Sequence, residues 1–324
     1  MYPDMSNPSE HAEPSDPTEA VVHFIEKSGV TFERGEPRKY FTRFSRMNAG
    51  LTLSIVDPKH QATVIRLKNF YALWNFLVDD EIDRDGSSIG LDHSMLMLMH
   101  HSWGAPLPAE LSDSARLLGK ILEAVKQVDP GDSKFKARVR EMFYFDFWAL
   151  MTGFKHEACI NELKEAANPM EYIKYTTLVG SIEHLLDLDC LFASTEVPPL
   201  VYNRLRVAYD HLGRSLKFAS DIGSLQRELT EEDNLNLIRI EARARGIPEV
   251  EKKLSLQEFD ALRPRLLPVV EEVRDKAQKH LKDASDILSE VSATHPNLDF
   301  KVLVGTVSSI VQEYFKGDVF FQQK

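Results

Sequence analysis

The sequence predicts an all-α protein folded as a single-domain helical bundle. Three observations predict it. Apolar residues recur at helical spacing from about residue 17 almost to the C-terminus. The apolar–polar alternation of a half-buried strand is nearly absent over any four residues. The periodic runs are also punctuated by proline and glycine at positions that stop helices.

Residues 1–16, rich in Ser, Pro, Glu and Asp, read as a disordered N-terminal tail, and 17–324 as the domain. Pro17 suits the first turn of a helix to about Lys27, because its missing N–H would have no partner there anyway. The next helices fall near 38–56, stopped by Asp57-Pro58; 60–84, stopped by Gly86; and 90–102, before Pro106 and Pro108. Then come 110–129, stopped by Pro130-Gly131, and 133–166, ahead of Pro169. The remainder are 169–194, ended by Pro198-Pro199; 199–229; 235–245, stopped by Gly246 and Pro248; 256–292; and 297–316, after Pro296. Helices 60–84 and 133–154 are apolar around most of their circumference, as central helices of a bundle are. There is no internal repeat and no linker long enough to separate two domains.

Composition narrows the function. With 43% hydrophobic and 27% charged residues, the 324-residue chain has material for a sizeable core. A net charge of −11 argues against a nucleic-acid binder and against docking on anionic lipid. An acidic protein still binds a phosphorylated substrate when divalent cations bridge the two anions. Cys159 and Cys190 form neither a disulfide framework nor a zinc ribbon. Met1 to Pro17 has no apolar signal-peptide core, and no window is long and apolar enough to span a bilayer. A cytoplasmic protein without stable membrane insertion is expected.

Two clusters carry chemistry. Phe76-Leu77-Val78 runs directly into Asp79, Asp80, Glu81, Ile82, Asp83, Arg84 and Asp85. On a helix, Asp79 and Asp83 are i and i+4 and share a face, with Asp80 adjoining. Like charges repel at this spacing, and at a helix C-terminus the macrodipole disfavours anions. Hard divalent cations are the usual remedy. Taken alone, the run is equally consistent with a solvated acidic helix end. The second cluster spans 220–228, where Ser220, Ser224 and Glu228 at i, i+4 and i+8 form a plausible three-oxygen chelate, with Arg227 beside it to bond a diphosphate. Alone it is also an ordinary polar stripe.

Together the clusters resemble class I terpene synthases. Asp79-Asp80-Glu81-Ile82-Asp83 matches the family's D-D-x-x-D at every defined position. Asp221, Ser224, Arg227 and Glu228 match (N/D)-D-x-x-(S/T)-x-x-(K/R)-E, and the separation of about 140 residues also fits. The resemblance implies the isoprenoid synthase fold and a lyase that ionises a prenyl diphosphate to a carbocation. Three Mg²⁺ ions, with Mn²⁺ a possible substitute, would be held by Asp79, Asp80 and Asp83 on one side and Ser220, Ser224 and Glu228 on the other. Asp79, Asp83 and Glu228 would be the catalytic set. The stretch Thr230 to Asn236 fits a loop that closes over the mouth and excludes water.

Three departures carry information. Ser220 stands where the family usually has Asn or Asp. The segment Glu171-Tyr172 to Gly180-Ser181 resembles one that carries a diphosphate-sensing arginine, but register puts Thr176 at that position; Gly180-Ser181 fits the expected helix break. The Arg-Tyr pair common near the C-terminus is missing, leaving Tyr314 and Lys316 with Phe320-Phe321 nearby. Arg227, Tyr314 and Lys316 are therefore the expected diphosphate contacts. The loss of two arginines together looks like the small bacterial diterpene synthases of labdane-related pathways. It implies a bicyclic C20 diphosphate of the copalyl or halimadienyl type, supplied upstream by a class II diterpene cyclase. Farnesyl diphosphate is the alternative. A monomer or homodimer is expected.

Phe76 lies on the metal face of its helix, and Phe143, Phe147, Met151 and Phe154 form an aromatic-rich stripe. Phe76, Phe147, Thr176 and Gly180 are the expected cavity residues, where aromatic faces would stabilise a cation; simple core packing is the other reading of that stripe. His156 and Cys159 share a face without further ligands, so zinc is not expected. A chain-elongating prenyltransferase, whose pattern has a second aspartate-rich motif, and a non-catalytic helical binding module are the rival functions.

Overall fold

The computed structural model describes residues 14–163, 168–231 and 235–317. Among them the regular structure is helical apart from one isolated antiparallel bridge between Val56 and Ala193. The helices are α1 (Pro17–Ser28), α2 (Pro37–Gly50), α3 (Gln61–Asp85), α4 (Ile89–Trp103), α5 (Asp113–Gln127) and α6 (Lys134–Leu163). They continue as α7 (Pro169–Val179), α8 (Glu183–Leu191), α9 (Pro199–Glu231), α10 (Leu237–Ala244), α11 (Leu256–Thr294) and α12 (Lys301–Phe315). No described helix is long and apolar enough to cross a membrane.

The ends of these helices follow local chemistry. Asp16, which the sequence reading assigned to the tail, caps α1 by accepting from the backbone N–H groups of Thr18 and Glu19; residues 1–13 lie outside the described residues. α3 stops at Gly86, whose φ of 61° is the left-handed conformation that glycine tolerates. α2 ends at Gly50, six residues before its expected end at 56. Tertiary contacts take over there. The Leu51 carbonyl accepts from Lys68 Nζ at 3.0 Å, and the Leu53 N–H donates to Asp189 at 3.0 Å. Leu51, Leu53, Ile55 and Val56 are thus buried without being helical. The predicted helix 169–194 is broken at Gly180-Ser181-Ile182 into α7 and α8.

α3 is the central helix, packing on α1, α2, α5 and α6, while α9 packs on α11 and α12. The main core joins Trp74 and Phe70 of α3 to Phe143, Phe147 and Phe154 of α6, all fully or nearly fully buried. A second cluster surrounds α10 and the N-terminal half of α11. Buried ion pairs lock the elements together. Lys68 of α3 meets Asp189 of α8 at 2.8 Å, both side chains fully inaccessible. Arg206 of α9 binds Asp146 of α6 through two contacts of 2.7 Å and reaches Asp187 of α8. Removing one member of such a pair costs about 3–5 kcal/mol, because the other charge stays buried.

Candidate active site

α3 delivers the first cluster, and its carboxylates part ways. Glu81 turns to the N-terminus of α4, accepting from the Gly90 N–H at 2.9 Å and from the Ser87 hydroxyl at 2.9 Å. Ile82 is buried. Asp79 and Asp80 face the other way and hold a guanidinium. Arg34 lies between α1 and α2, and donates to Asp79 at 3.1 Å and to Asp80 at 2.6 and 3.3 Å. Its charge also stands 4.4 Å over the face of the Phe76 ring. Burial opposes the Arg34 charge, but Asp79 and Asp80 more than offset it and raise its pKa. Asp83 is exposed. The repulsion expected at this helix end is therefore relieved by a cation from 45 residues upstream.

α9 delivers the second cluster. Asp221 is buried and serves as a hub. It accepts from the Tyr172 hydroxyl of α7 at 2.8 Å and from the Leu237 N–H of α10 at 3.2 Å, and it pairs with Lys217 at 3.2 Å. Glu228, 8% exposed, accepts from Asn236 Nδ2 at 2.6 Å and pairs with Arg227 at 3.3 Å. Asn236 also donates to the Asp221 carbonyl at 2.7 Å and caps α10. Ser224 donates to the Ser220 carbonyl one turn back, at 2.8 Å. The stretch expected to close the mouth, Thr230 to Asn236, is described only at its ends, since 232–234 lie outside the described residues.

Tyr314 of α12 joins the two sides. Its hydroxyl shares a hydrogen bond with Ser220, and it lies within electrostatic reach of Arg34, Asp79 and Lys217. Burial raises its pKa. Tyr40 of α2 closes the same corner, in reach of Arg34, Asp80 and Tyr314. The acidic end of α3 and the polar stripe of α9 thus face one another across a tyrosine.

The other predicted residues are placed unevenly. Thr176 is 1% exposed and donates to the buried Glu157 at 3.0 Å. Gly180 sits at the break of α7, where an added Cβ would come within 2.7 Å of the Lys217 Cβ. Phe147 is fully buried against Tyr71, Trp74, Phe143 and His184, in the core arrangement that was the other reading of its stripe. Phe76 packs edge-on to Tyr40 and Phe44 beneath Arg34. Lys316 is exposed, capping the end of α12, and Phe320-Phe321 lie outside the described residues. His156 stacks on Tyr175 and bonds Glu171.

Sequence reasoning missed Arg34, Lys217, Glu157 and Asn236. Only Lys217 had a legible signal, since 217, 220, 224 and 228 lie on one helical stripe. The motif donors are carboxylate and hydroxyl oxygens without thiol or imidazole, the donor set of a hard cation such as Mg²⁺. Their readiness for a cation is visible in the Arg34 pairing. Among the described residues, the three His or carboxylate groups whose ligand atoms already converge lie elsewhere: His211, His280 and Asp283, on α9 and α11.

An all-helical bundle that sets an aspartate-rich helix end against a Ser/Glu stripe defines a class of metal-dependent diphosphate enzymes. A model of terpene synthase family 2, C-terminal metal binding, matches residues 71–253, more than half the chain and both clusters. The chain belongs to this terpene synthase family, and it is a class I enzyme: a lyase acting on prenyl diphosphates. The linalool/nerolidol synthase of Streptomyces clavuligerus superposes with a TM-score of 0.61 at 14% identity, covering 95% of this chain and 99% of that one. The germacradien-4-ol synthase of Streptomyces citricolor gives 0.54 at 17%, covering 95% and 93%. A hedycaryol synthase in complex with nerolidol gives 0.57 at 17%, covering 97% and 98%. At these identities the likeness is one of fold. No curated protein sequence matches the chain.

Proposed function

We propose that the protein ionises a bicyclic C20 diphosphate of the copalyl type to a carbocation and releases a diterpene and diphosphate. The observation that carries the ionisation chemistry is the convergence of the two motifs across Tyr314. Asp79, Asp80 and Asp83 would hold Mg²⁺ on the α3 side, and Ser220, Ser224 and Glu228 would hold it on the α9 side. Bound Mg²⁺ supplies the Lewis-acid charge that neutralises the departing diphosphate. Arg227, Tyr314 and Lys316 donate to the diphosphate oxygens as negative charge develops there. Arg34 holds the positions on Asp79 and Asp80 that a metal would take, and covers the Phe76 face that would otherwise be open to a cation. Ser224, whose hydroxyl donates to the Ser220 carbonyl, would keep its oxygen lone pairs for the metal. The enzyme works in the cytoplasm, downstream of a class II cyclase that makes the bicyclic diphosphate.

The C20 substrate is supported by Thr176, which stands where the family's segment has an arginine, and by the absence of the C-terminal Arg-Tyr pair. A second reading, an acyclic C10 or C15 diphosphate, is favoured by the neighbours. The Streptomyces clavuligerus synthase has been solved with 2-fluorogeranyl diphosphate, at a TM-score of 0.58. Incubation with Mg²⁺ or Mn²⁺ and geranyl, farnesyl, geranylgeranyl and copalyl diphosphates, read by gas chromatography, separates the two. Product from copalyl diphosphate supports the first reading, and product only from farnesyl or geranyl diphosphate supports the second. Elongated diphosphates would indicate a transferase, and no product from any of them a binding module.

A further inference from the structure

Lys217 is the one member of the α9 stripe that neither motif includes. It precedes Ser220 by one turn and shares the face of Ser220, Ser224 and Glu228. Its side chain is 19% exposed, its ammonium is 3.2 Å from Asp221, and it stands 5.7 Å from the centre of the Tyr172 ring. Asp221, Tyr172, Glu157 and Glu228 act together to keep it charged against the cost of burial. Tyr314 of the neighbouring α12 lies within reach of the same charge.

The backbone holds Lys217 in this position. Gly180 at the break of α7 and Gly213 of α9 cross so closely that a Cβ on either would come within 2.7 Å of the other element. The stem of Lys217 leans on Gly180 at that crossing. An ammonium has three donors, and Asp221 is its hydrogen-bonding acceptor among the described residues. Asp221 itself is engaged by Tyr172 and the Leu237 N–H as well. Thr176, on the neighbouring turn of α7, brings a hydroxyl and no charge, and spends it on Glu157. Arg227 is half exposed, so Lys217 is the more desolvated cation on this wall.

We propose that Lys217 is the cation that receives the substrate's diphosphate on the α9 side, supplying from α9 the charge that Thr176 does not supply from α7. The proposal rests on the diphosphate reading of the site and assigns that site a residue outside both motifs. An ammonium one turn before Ser220 would meet the diphosphate beside the residues that would hold the metal on α9.

The test is calorimetric binding of inorganic diphosphate in the presence of Mg²⁺, with turnover of the preferred diphosphate measured beside it. Lys217→Met is expected to weaken diphosphate binding about tenfold or more and Lys217→Arg to stay within about threefold, since a charged hydrogen bond is lost in one and kept in the other. Lys217→Met leaves Asp221 buried beside no cation, so Lys217→Met/Asp221→Asn removes the pair together and carries the test if the single variant does not fold. A purely structural role for Lys217 would let that double variant bind diphosphate as the wild type does, which overturns the proposal. Wild-type binding matched within about twofold by Lys217→Met overturns it too, and leaves the active-site reading standing. A wild-type chain that neither binds Mg²⁺–diphosphate nor turns over any of the panel overturns the site reading, and this inference with it.

Discussion

Replacing Asp221 separates architecture from chemistry in the second cluster. Asp221→Ala removes three interactions at once: the acceptor of the Tyr172 hydroxyl, the acceptor of the Leu237 N–H, and the partner of Lys217. Each orphaned neutral donor costs about 1–3 kcal/mol, and breaking a buried ion pair costs about 3–5 kcal/mol. These overlap in one site, and Glu157 and Glu228 still act on Lys217, so we expect a loss of about 4 kcal/mol. In a domain held by about 5–15 kcal/mol that is a large fraction. It corresponds to a fall in Tm of roughly 8 °C, at about 2 °C per kcal/mol for a chain of this size. Asp79→Ala is the control: its side chain is 38% exposed and its ion pair with Arg34 is shared with Asp80, so it should cost under about 1 kcal/mol. Urea unfolding followed by helical circular dichroism measures both. If Asp221→Ala is destabilised by less than about 1 kcal/mol, or no more than Asp79→Ala, the hub described here does not hold α7, α9 and α10 together.

Other outcomes follow from the same geometry. Asp79→Ala and Glu228→Ala should abolish turnover while retaining helical circular dichroism; near-normal turnover in either would show that the metals are held elsewhere. Arg34→Gln should tighten Mg²⁺ binding in the absence of substrate by about two- to fivefold, because the metal no longer displaces a guanidinium from a partly exposed pair; titration with Mn²⁺ followed by electron paramagnetic resonance reads this, and weaker binding would contradict it. His184 is fully buried against Tyr71 and Phe147, and burial pushes its pKa down from 6.5 to about 3. Below pH 6.5 the unfolded chain takes up a proton that the folded one refuses, so stability falls by up to about 1.4 kcal/mol per pH unit toward pH 3. His184→Leu should remove a slope that grows from a small fraction of a proton at pH 7 to nearly one proton by pH 5, and unchanged slopes would refute the assignment. Gly213→Ala should destabilise by about 1–3 kcal/mol, since its Cβ would meet the Gly180 carbonyl oxygen at 2.7 Å; an unchanged Tm would mean that the crossing relaxes freely.

The helices and their stops were legible because they are local. Pro17 opens α1 at its first position, Gly86 ends α3 by its own φ, and the apolar period marks α3 and α6 as central. The motifs were legible for the same reason, since i, i+4 and i+8 share a face in any helix. Local rules failed where a distant group changed the outcome. α2 stops six residues early because Lys68 and Asp189 take the backbone polar groups of Leu51 and Leu53. The Phe147 stripe faces the aromatic core, and periodicity cannot distinguish a cavity wall from a packed interior.

The sequence by itself determined an all-α chain and two oxygen-donor clusters about 140 residues apart. Only the tertiary structure decided what those clusters face. It put Arg34 on Asp79 and Asp80, turned Glu81 away to α4, made Asp221 a hub, set Tyr314 between the two sides, and paired Lys217 with Asp221. The physical reason is that helical periodicity fixes which side chains share a face, while the partner of each face is chosen by packing between helices far apart in the chain.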